Sequence, residues 1–255
     1  MGRVYLVGAG PGDPELLTLK ALRLLENAAV VLHDDLVPPS ILARASSAAQ
    51  IVNVGKRCGR NGFNQEDIAT LAISYARDGC VVVRLQGGDP LIFGRAAEEM
   101  FVLREAGVDF EIVPGVTSAL GAAASAQISL TERRVASSVI FTTGHHCEGK
   151  HPVAGIGLNA LLRPTVVVYM PTDYSSISEE LQAAGWERET PCLVVSSAGT
   201  VDETSFLTTL WALPQAPRLP SPRLLIVGAV VKTASMQQTL NTAREKLKAF
   251  SSVET

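Results

Sequence analysis

Short apolar runs alternate along this chain with longer segments in which apolar residues recur at helical spacing. The runs that predict strands are 3–7, 30–32, 50–54, 81–85, 110–113, 139–143, 165–170, 193–197 and 224–230. The helical segments between them are clearest at 64–78, 95–107, 117–126 and 175–184, and a closing helix is expected after 230. Because alternating strands and helices form a parallel sheet covered on both faces, the pattern predicts an α/β fold.

One stretch interrupts this alternation. Residues 144–157 contain three of the four histidines together with glycine and proline, which is typical of a linker or loop. We place the boundary between two α/β lobes here, so that the lobes are 1–144 and 145–255. The stretch also holds His145, His146, Cys147 and His151. Because metal ligands need a rigid framework, we expect no metal site in such a loop.

Composition narrows the class of protein. The chain has 255 residues, 47% of them hydrophobic and 5% aromatic, which predicts a globular protein with an aliphatic core. The net charge of −3 gives no general attraction to nucleic acid or to anionic membranes. Apolar runs stay well below the roughly 20 residues of a membrane span, and no signal peptide precedes the first strand. Without a CxxC pair, the four cysteines read as reduced thiols, so we expect a cytoplasmic location.

The most informative stretch is 81–95, VVVRLQGGDPLIFGR. Its first residues favour a buried strand, which must end at Gly87, Gly88 and Pro90 because these residues break regular structure. In open α/β sheets, ligands bind at the carboxyl ends of strands, and glycines there let a ligand lie against the backbone. The loop is therefore a candidate binding rim.

A second glycine-rich loop, Gly8 to Asp13 (GAGPGD), follows the first strand. It resembles a dinucleotide-binding loop, and Asp34 stands near the place of a ribose-binding acid. However, Asp13 replaces the last glycine and can cap the helix that begins at Pro14, where a pyrophosphate would have to bind. We therefore favour a tight turn with a helix cap, which leaves Gly8, Gly10 and Pro11 to line another ligand.

Six motifs in order resemble one family over nearly the whole chain: GAGPGDPELLTLKAL, HDDLV, VGKRCG, VVVRLQGGDPLIFGR, VPGVTSA and YMP. They are similar to the tetrapyrrole methyltransferases of the cobalamin and sirohaem pathways, which use S-adenosylmethionine. The resemblance implies two α/β lobes with the cofactor in the cleft between them, usually in a homodimer. It also implies methylation of uroporphyrinogen III by way of precorrin-1 to precorrin-2, with S-adenosylhomocysteine as by-product.

The resemblance also implies a set of site residues. S-adenosylmethionine should contact Pro11, Gly87, Gly88, Asp89, Ile92, Thr117 and Ser118, and the second lobe should contribute Met170 and Gly199. Each residue also has a structural alternative, because glycine and proline shape turns, Thr117 can cap a helix and Met170 can fill core.

By the same match, Asp34 corresponds to the proton acceptor and Lys56 to the proton donor. A carboxylate suits the proton that a methylated pyrrole ring must lose. The alternative is an ion pair at the sheet rim between Asp34 and Lys56 or Arg57. The substrate's eight carboxylates require basic residues, and the available ones are Arg57, Arg60, Arg84, Arg95, Arg133 and Arg134.

The chain departs from the family pattern at five positions. His33 replaces a tyrosine of the family pattern, Gln86 a lysine, Ala96 and Ala97 two glycines, and Glu132 a histidine. Two other functions remain open: a methyltransferase of this fold that acts on a later precorrin or another acceptor, and a tetrapyrrole-binding protein without catalysis. The presence of both Asp34 and Lys56 favours catalysis.

Overall fold

Five parallel strands form the sheet of the first unit in this computed structural model, which describes residues 2–55, 64–144 and 164–232. The strands are β1 (Arg3–Gly8), β2 (Val30–His33), β3 (Gln50–Asn53), β4 (Val81–Gln86) and β5 (Phe110–Val113). Their order in the sheet is β3-β2-β4-β1-β5, and every neighbouring pair is parallel. All five carboxyl ends therefore lie at one edge, where the glycine-rich loops begin.

Helices cover both faces of this sheet. They are α1 (Leu19–Glu26), α2 (Pro39–Leu42), α3 (Gln65–Arg77), α4 (Ala96–Glu105) and α5 (Ser118–Ser125). Ile68 of α3 and Leu103 of α4 pack on one face with Leu32 and Val82, whereas Leu25 of α1 packs on the other with Val83. Buried residues on both faces explain why the strands are continuous apolar runs.

Two helix starts show how the sequence fixes these elements. Asn64 and Asp67 form a capping box at the start of α3, since each side chain accepts the other's backbone N–H. The first long helix, in contrast, begins later than predicted. Asp13 caps only a 3₁₀ turn, Pro14–Leu16, by accepting from the N–H of Glu15, and Thr18 caps α1. The helix cap expected at Asp13 is thus present on a shorter element.

The second unit contains a mixed sheet. Its strands are β6 (Val139–Thr143), β7 (Thr165–Tyr169), β8 (Pro191–Ser196), β9 (Thr204–Thr209) and β10 (Arg223–Val227), in the order β6-β7-β10-β8-β9. Only β6 and β7 pair in parallel, because β10 is antiparallel to β7 and β8, and β9 is antiparallel to β8. The expectation of parallel strands throughout is therefore wrong here, although the α/β class is confirmed. Helix α6 (Tyr174–Ala183) packs Ile177 and Leu181 into this unit's core.

Strand β9 is not among the predicted elements. Its sequence, TSFLTT, has two apolar residues in six, and it lies at the edge of the sheet, where few of its side chains need to be buried. Periodicity has little to detect in such a strand.

The chain divides into two compact units, Met1–Gly121 and Ala122–Thr255. The predicted boundary at 144/145 differs from this division. Because β6 pairs along its whole length with β7, it belongs to the second sheet rather than to the first. The division falls inside α5, which is a continuous helix and does not have the composition of a linker. Most of the predicted linker and the predicted closing helix lie outside the described residues.

Candidate functional site

The two glycine-rich loops meet at the carboxyl edge of the first sheet. Gly10 and Gly88 form a pair of backbone hydrogen bonds, with Gly10 N–H donating to Gly88 O at 3.1 Å and Gly88 N–H donating to Gly10 O at 2.7 Å. The Ala9 N–H also donates to Gln86 O at 2.7 Å. The two glycine-rich loops that the sequence singles out therefore lie side by side within the first unit.

Two glycines pack too closely for side chains. A Cβ at Gly8 would lie 2.6 Å from both Gly115 N and Gly88 O, and one at Gly115 would lie 2.3 Å from Gly88 O. Contacts below 3.0 Å with backbone atoms cannot be accommodated. Gly8 and Gly115 therefore let the loops after β1, β4 and β5 come together.

Gly88 differs from these two because one of its sides is open. Its φ is +71°, which favours glycine, and an added Cβ would find Ser118 N at 3.8 Å and Thr117 Cα at 3.9 Å. These are ordinary contact distances. The structure thus brings together three residues predicted to contact the cofactor, Gly88, Thr117 and Ser118, around a space that a ligand atom can fill.

The other predicted cofactor residues of this unit lie in the same loops. Pro11 packs on α5, since a Cβ at Gly121 would be 2.9 Å from the Pro11 ring. Asp89 accepts hydrogen bonds from Leu91 N–H at 2.7 Å and from Gly115 N–H at 3.0 Å, and Ile92 N–H donates to Asp89 O at 3.1 Å. The Asp89 carboxylate therefore ties the loop after β4 to the loop after β5.

Gly87 faces the acidic end of β2. A Cβ at Gly87 would lie 2.8 Å from the Leu36 Cβ, so the Leu36 side chain covers this glycine. The Gly87 N–H donates to Asp34 Oδ2 at 3.4 Å, and the Leu36 N–H donates to Asp34 Oδ1 at 3.2 Å. Asp34 is thus fixed by backbone donors beside the glycine rim.

The surroundings of Asp34 make its carboxyl a better base than an exposed aspartate. Burial raises its pKa above the ordinary value of 3.8, and this effect outweighs the opposing influence of the Arg84 charge and of the two backbone N–H donors. A raised pKa improves the ability of a carboxylate to accept a proton near neutral pH. The environment of the Asp34 carboxylate therefore favours proton acceptance.

The arginines expected to hold substrate carboxylates differ in burial and in their ion-pair partners. Arg84 is not at the rim: its residue is 3% exposed, and its Nε lies 3.3 Å from Glu99 Oε1. It lies on the same face of β4 as Val82, beneath α3 and α4. Arg95 is exposed and pairs with Glu98, and Arg133 and Arg134 are exposed. Arg57 and Arg60 lie outside the described residues.

Sequence reasoning did not find Glu99. It sits in an acidic pair on an otherwise ordinary helix, and only the fold shows that Glu98 is exposed while Glu99 is 1% exposed. The spacing does carry one signal, because Glu99 is at the same helical face as Leu103, four residues later, which is core.

The positions that depart from the family pattern lie mostly near this edge. His33 is buried, and its Nδ1 donates to the Asp34 carbonyl oxygen at 2.9 Å, which leaves Nε2 as the acceptor of the neutral ring. Gln86 is buried and Ala96 begins α4 in a buried position, whereas Ala97 and Glu132 are exposed.

In the second unit, the two predicted residues follow the carboxyl ends of the two strands that flank β10. Met170 follows β7 and Gly199 comes three residues after β8, and because both strands are antiparallel to β10, these ends share one edge of the sheet. Met170 is exposed and has a φ of +49°, and Gly199 has a φ of +75°. The Gly199 N–H donates to Glu203 Oε2 at 2.6 Å.

Some expectations fall outside what the structure describes. Lys56, the expected proton donor, is in the segment 56–63, and the histidines from 145 to 151 are in the segment 145–163. Across the described ranges, no three His, Cys, Asp or Glu residues are grouped as metal ligands would be. None of the helices in these ranges has both the length and the apolar character to cross a membrane.

An open α/β sheet with a glycine-lined edge and a partly buried acid beside it is typical of ligand-binding proteins and enzymes. Within that class, the family model for tetrapyrrole (corrin/porphyrin) methylases matches residues 3–214. The chain belongs to this family.

The relatives and solved structures agree with that membership. The chain is 42% identical over 247 residues to the uroporphyrinogen-III C-methyltransferase of Synechocystis, covering 94% of each protein. It is 47% identical over 241 residues to the siroheme synthase of Chromobacterium violaceum, covering 91% of this chain but 50% of that protein. The chain thus spans about half the length of the siroheme synthases it matches.

A crystal structure gives the same result for the fold. The uroporphyrin-III C-methyltransferase of Thermus thermophilus, complexed with S-adenosylhomocysteine, superposes with a TM-score of 0.78. Its sequence is 40% identical, and the match covers 91% of this chain and 94% of that one. The α/β fold expected from the resemblance is confirmed.

Proposed function

We propose that this chain transfers methyl groups from S-adenosylmethionine to ring carbons of uroporphyrinogen III, by way of precorrin-1, and produces precorrin-2. The observation that carries the proposal is the position of Asp34, a partly buried acid hydrogen-bonded to the glycine loop after β4. A base beside an open glycine rim is what a methyl transfer followed by proton loss requires. The Synechocystis relative supports the substrate, because it matches this chain over nearly its full length.

The chemistry assigns a role to each part of this edge. A nucleophilic ring carbon of the tetrapyrrole attacks the sulfonium methyl group, so that a carbon–carbon bond forms as the carbon–sulfur bond breaks. The methylated ring system is then cationic and loses a proton. Asp34 accepts this proton, while the backbone around Gly88, Thr117 and Ser118 orients the methyl donor.

The residues around Gly88 fit S-adenosylmethionine in one physical respect. The open side of Gly88 is bounded by Ser118 N and Thr117 Cα, so the nearest groups are backbone atoms and not charged side chains. A pyrophosphate would need a free helix N-terminus, and the N–H of Glu15 after the GAGPGD loop is already paired with Asp13.

The proposal extends to four residues that these contacts do not reach. Lys56 is proposed as the proton donor, and Pro11, Met170 and Gly199 as cofactor contacts. A homodimer and a cytoplasmic location are part of the same proposal. Light scattering at micromolar concentration tests the dimer, and a mass corresponding to one chain alone would reject it.

A product assay tests the reaction. Uroporphyrinogen III is incubated anaerobically with the protein and S-adenosylmethionine, and the products are identified by mass spectrometry. We expect two added methyl groups and two S-adenosylhomocysteine molecules for each tetrapyrrole converted. No transfer to uroporphyrinogen III, with transfer to a later precorrin, would instead assign the chain to another step of tetrapyrrole methylation. No transfer to either would indicate binding without catalysis.

A further inference from the structure

Four polar side chains meet beneath the glycine rim, in the layer between β4 and the helices α3 and α4. This glutamate cluster consists of Gln65, Arg84, Gln86 and Glu99. Glu99 Oε1 accepts hydrogen bonds from Gln65 Nε2 at 2.7 Å, Arg84 Nε at 3.3 Å and Gln86 Nε2 at 3.3 Å. Because Arg84, Gln86 and Glu99 are each at most 3% exposed, water contributes little to the charge balance of the cluster.

The cluster reaches Asp34 through a shared backbone acceptor. Arg84 Nη1 donates to the carbonyl oxygen of Leu85 at 3.1 Å, and the same oxygen accepts from the Asp34 N–H at 3.4 Å. Arg84 is held in this position by Glu99. A continuous chain of contacts therefore links the buried glutamate to the residue that carries the proposed base.

The cluster also supports the loop after β4. Gln86 Nε2 donates both to Glu99 and to the Gly94 carbonyl oxygen, the latter at 3.0 Å. Gln86 directly precedes Gly87, whose N–H donates to the Asp34 carboxylate. Among the described residues, Gln86 Oε1 is a buried oxygen for which no hydrogen-bond partner is found.

We propose that Glu99 is a positioning residue for the methyl-transfer reaction: it holds Arg84 against the carbonyl group that seats Asp34, and it balances the positive charge beneath that base. This inference rests on the proposed function and deepens it, because it assigns to a buried residue of α4 the task of keeping Asp34 basic.

The charges around Asp34 and Glu99 determine in which direction the pKa of Asp34 changes when the charge of Glu99 is removed. In the described parts of the chain, Asp34 faces Arg84 of β4 and the neighbouring His33 of β2, and Glu99 faces Arg84 and Asp34. The charge of one guanidinium therefore acts on a buried carboxylate, Glu99, and on a partly buried one, Asp34. Removing the charge of Glu99 leaves Arg84 to act on Asp34 without compensation, which lowers the pKa of Asp34 and makes it a weaker base.

Two substitutions that each raise the net charge of the cluster by one test this role. Glu99→Gln removes the anion and keeps a hydrogen-bonding side chain, and Gln86→Lys places an ammonium group next to Glu99. In both variants we expect the acid limb of the kcat–pH profile to move to lower pH by about 0.5–1 unit. The plateau value of kcat should fall several-fold, because a weaker base accepts a proton more slowly. The Kd of S-adenosylhomocysteine should change little.

The two variants separate this role from a purely structural one. Glu99→Gln breaks a buried ion pair and should lower Tm, whereas Gln86→Lys gives Glu99 a second cation and should not lower it in the same way. A positioning role predicts pH profiles that shift in the same direction, and a structural role predicts effects that follow Tm. Glu105→Gln makes the same change at an exposed position of α4 and should leave the profile unchanged.

Several outcomes would overturn the inference. An unmoved acid limb in Gln86→Lys would do so, as would a shift in Glu105→Gln equal to that in Glu99→Gln. Should Glu99→Gln fail to fold, Gln86→Lys alone decides the question. Methyl transfer by the unaltered protein is measured first, so that failure of the proposed function is recognised independently of these variants.

Discussion

Asp34 and Gly87 lie 53 residues apart in the chain, and the Gly87 N–H donates to Asp34 Oδ2 at 3.4 Å. The bond joins the end of β2 to the loop after β4, since these strands are direct neighbours in the sheet. It places the proposed base beside the glycine rim. The following predictions test what this arrangement does.

Asp34→Asn should lower turnover about 10²–10⁴-fold, because the amide keeps the size of the side chain but cannot accept a proton. The Kd of S-adenosylhomocysteine, measured by calorimetry, should stay near that of the unaltered protein. Asp35→Asn is the matched control, since the adjacent Asp35 is exposed and its carboxylate accepts from Asn53 Nδ2 at 2.8 Å. Equal effects of the two substitutions would mean that Asp34 is not the base.

The same substitution should have a pH-dependent effect on stability. The folded state raises the pKa of Asp34 above 3.8, so folding favours the protonated acid, and stability is lost as the pH rises through the raised pKa. Asparagine cannot ionise and does not undergo this loss. The Tm of Asp34→Asn minus that of the unaltered protein should therefore increase between about pH 4 and pH 7. A difference that decreases over this range contradicts the raised pKa.

Gly88→Ala should weaken S-adenosylhomocysteine binding by at least about tenfold, because the methyl group enters the open side of the rim. Its left-handed backbone adds a cost of about 1 kcal/mol to folding. Gly107→Ala is a close control, since Gly107 has a φ of +65° and nothing within 4 Å of an added Cβ. Both variants should show similar decreases in Tm, and only Gly88→Ala should lose affinity. Normal affinity in Gly88→Ala would show that the ligand binds elsewhere.

Asp89→Ala should destabilise the rim. The substitution removes the acceptor of the Leu91 and Gly115 N–H groups and leaves the latter partly buried without this partner. The expected loss of stability is about 1–3 kcal/mol, measured by urea denaturation. Asp78→Ala, at the end of α3, is an exposed comparison and should cost less. Equal losses would mean that the bond between the two loops contributes little.

S-adenosylhomocysteine should raise Tm in proportion to the logarithm of its concentration above Kd, as expected for a ligand that binds only the folded state. NAD should not, because Asp13 already pairs with the backbone N–H of Glu15 at the place where a pyrophosphate would bind. The comparison is made by thermal melting at matched ligand concentrations. A shift with NAD and none with S-adenosylhomocysteine would reject the methyltransferase proposal.

The sequence by itself determined the strands of the first unit, most of its helices and the positions of its glycine-rich loops. Apolar runs, the cap at Asn64 and the glycines at 87 and 88 act over short distances, so their effect is visible in local sequence. The six ordered motifs likewise identified the family, which the family model confirms.

Tertiary structure decided the remaining features, because they depend on pairing between distant residues. The antiparallel position of β10 between β7 and β8, and the edge strand β9, follow from long-range pairing that periodicity does not encode. The same holds for the division inside α5. The sequence predicted that Arg84 is one of the basic residues at the rim. Its position on the face of β4 beneath α3 and α4 instead makes it the buried partner of Glu99. Only the packing of those helices against the sheet determines which charges are removed from water.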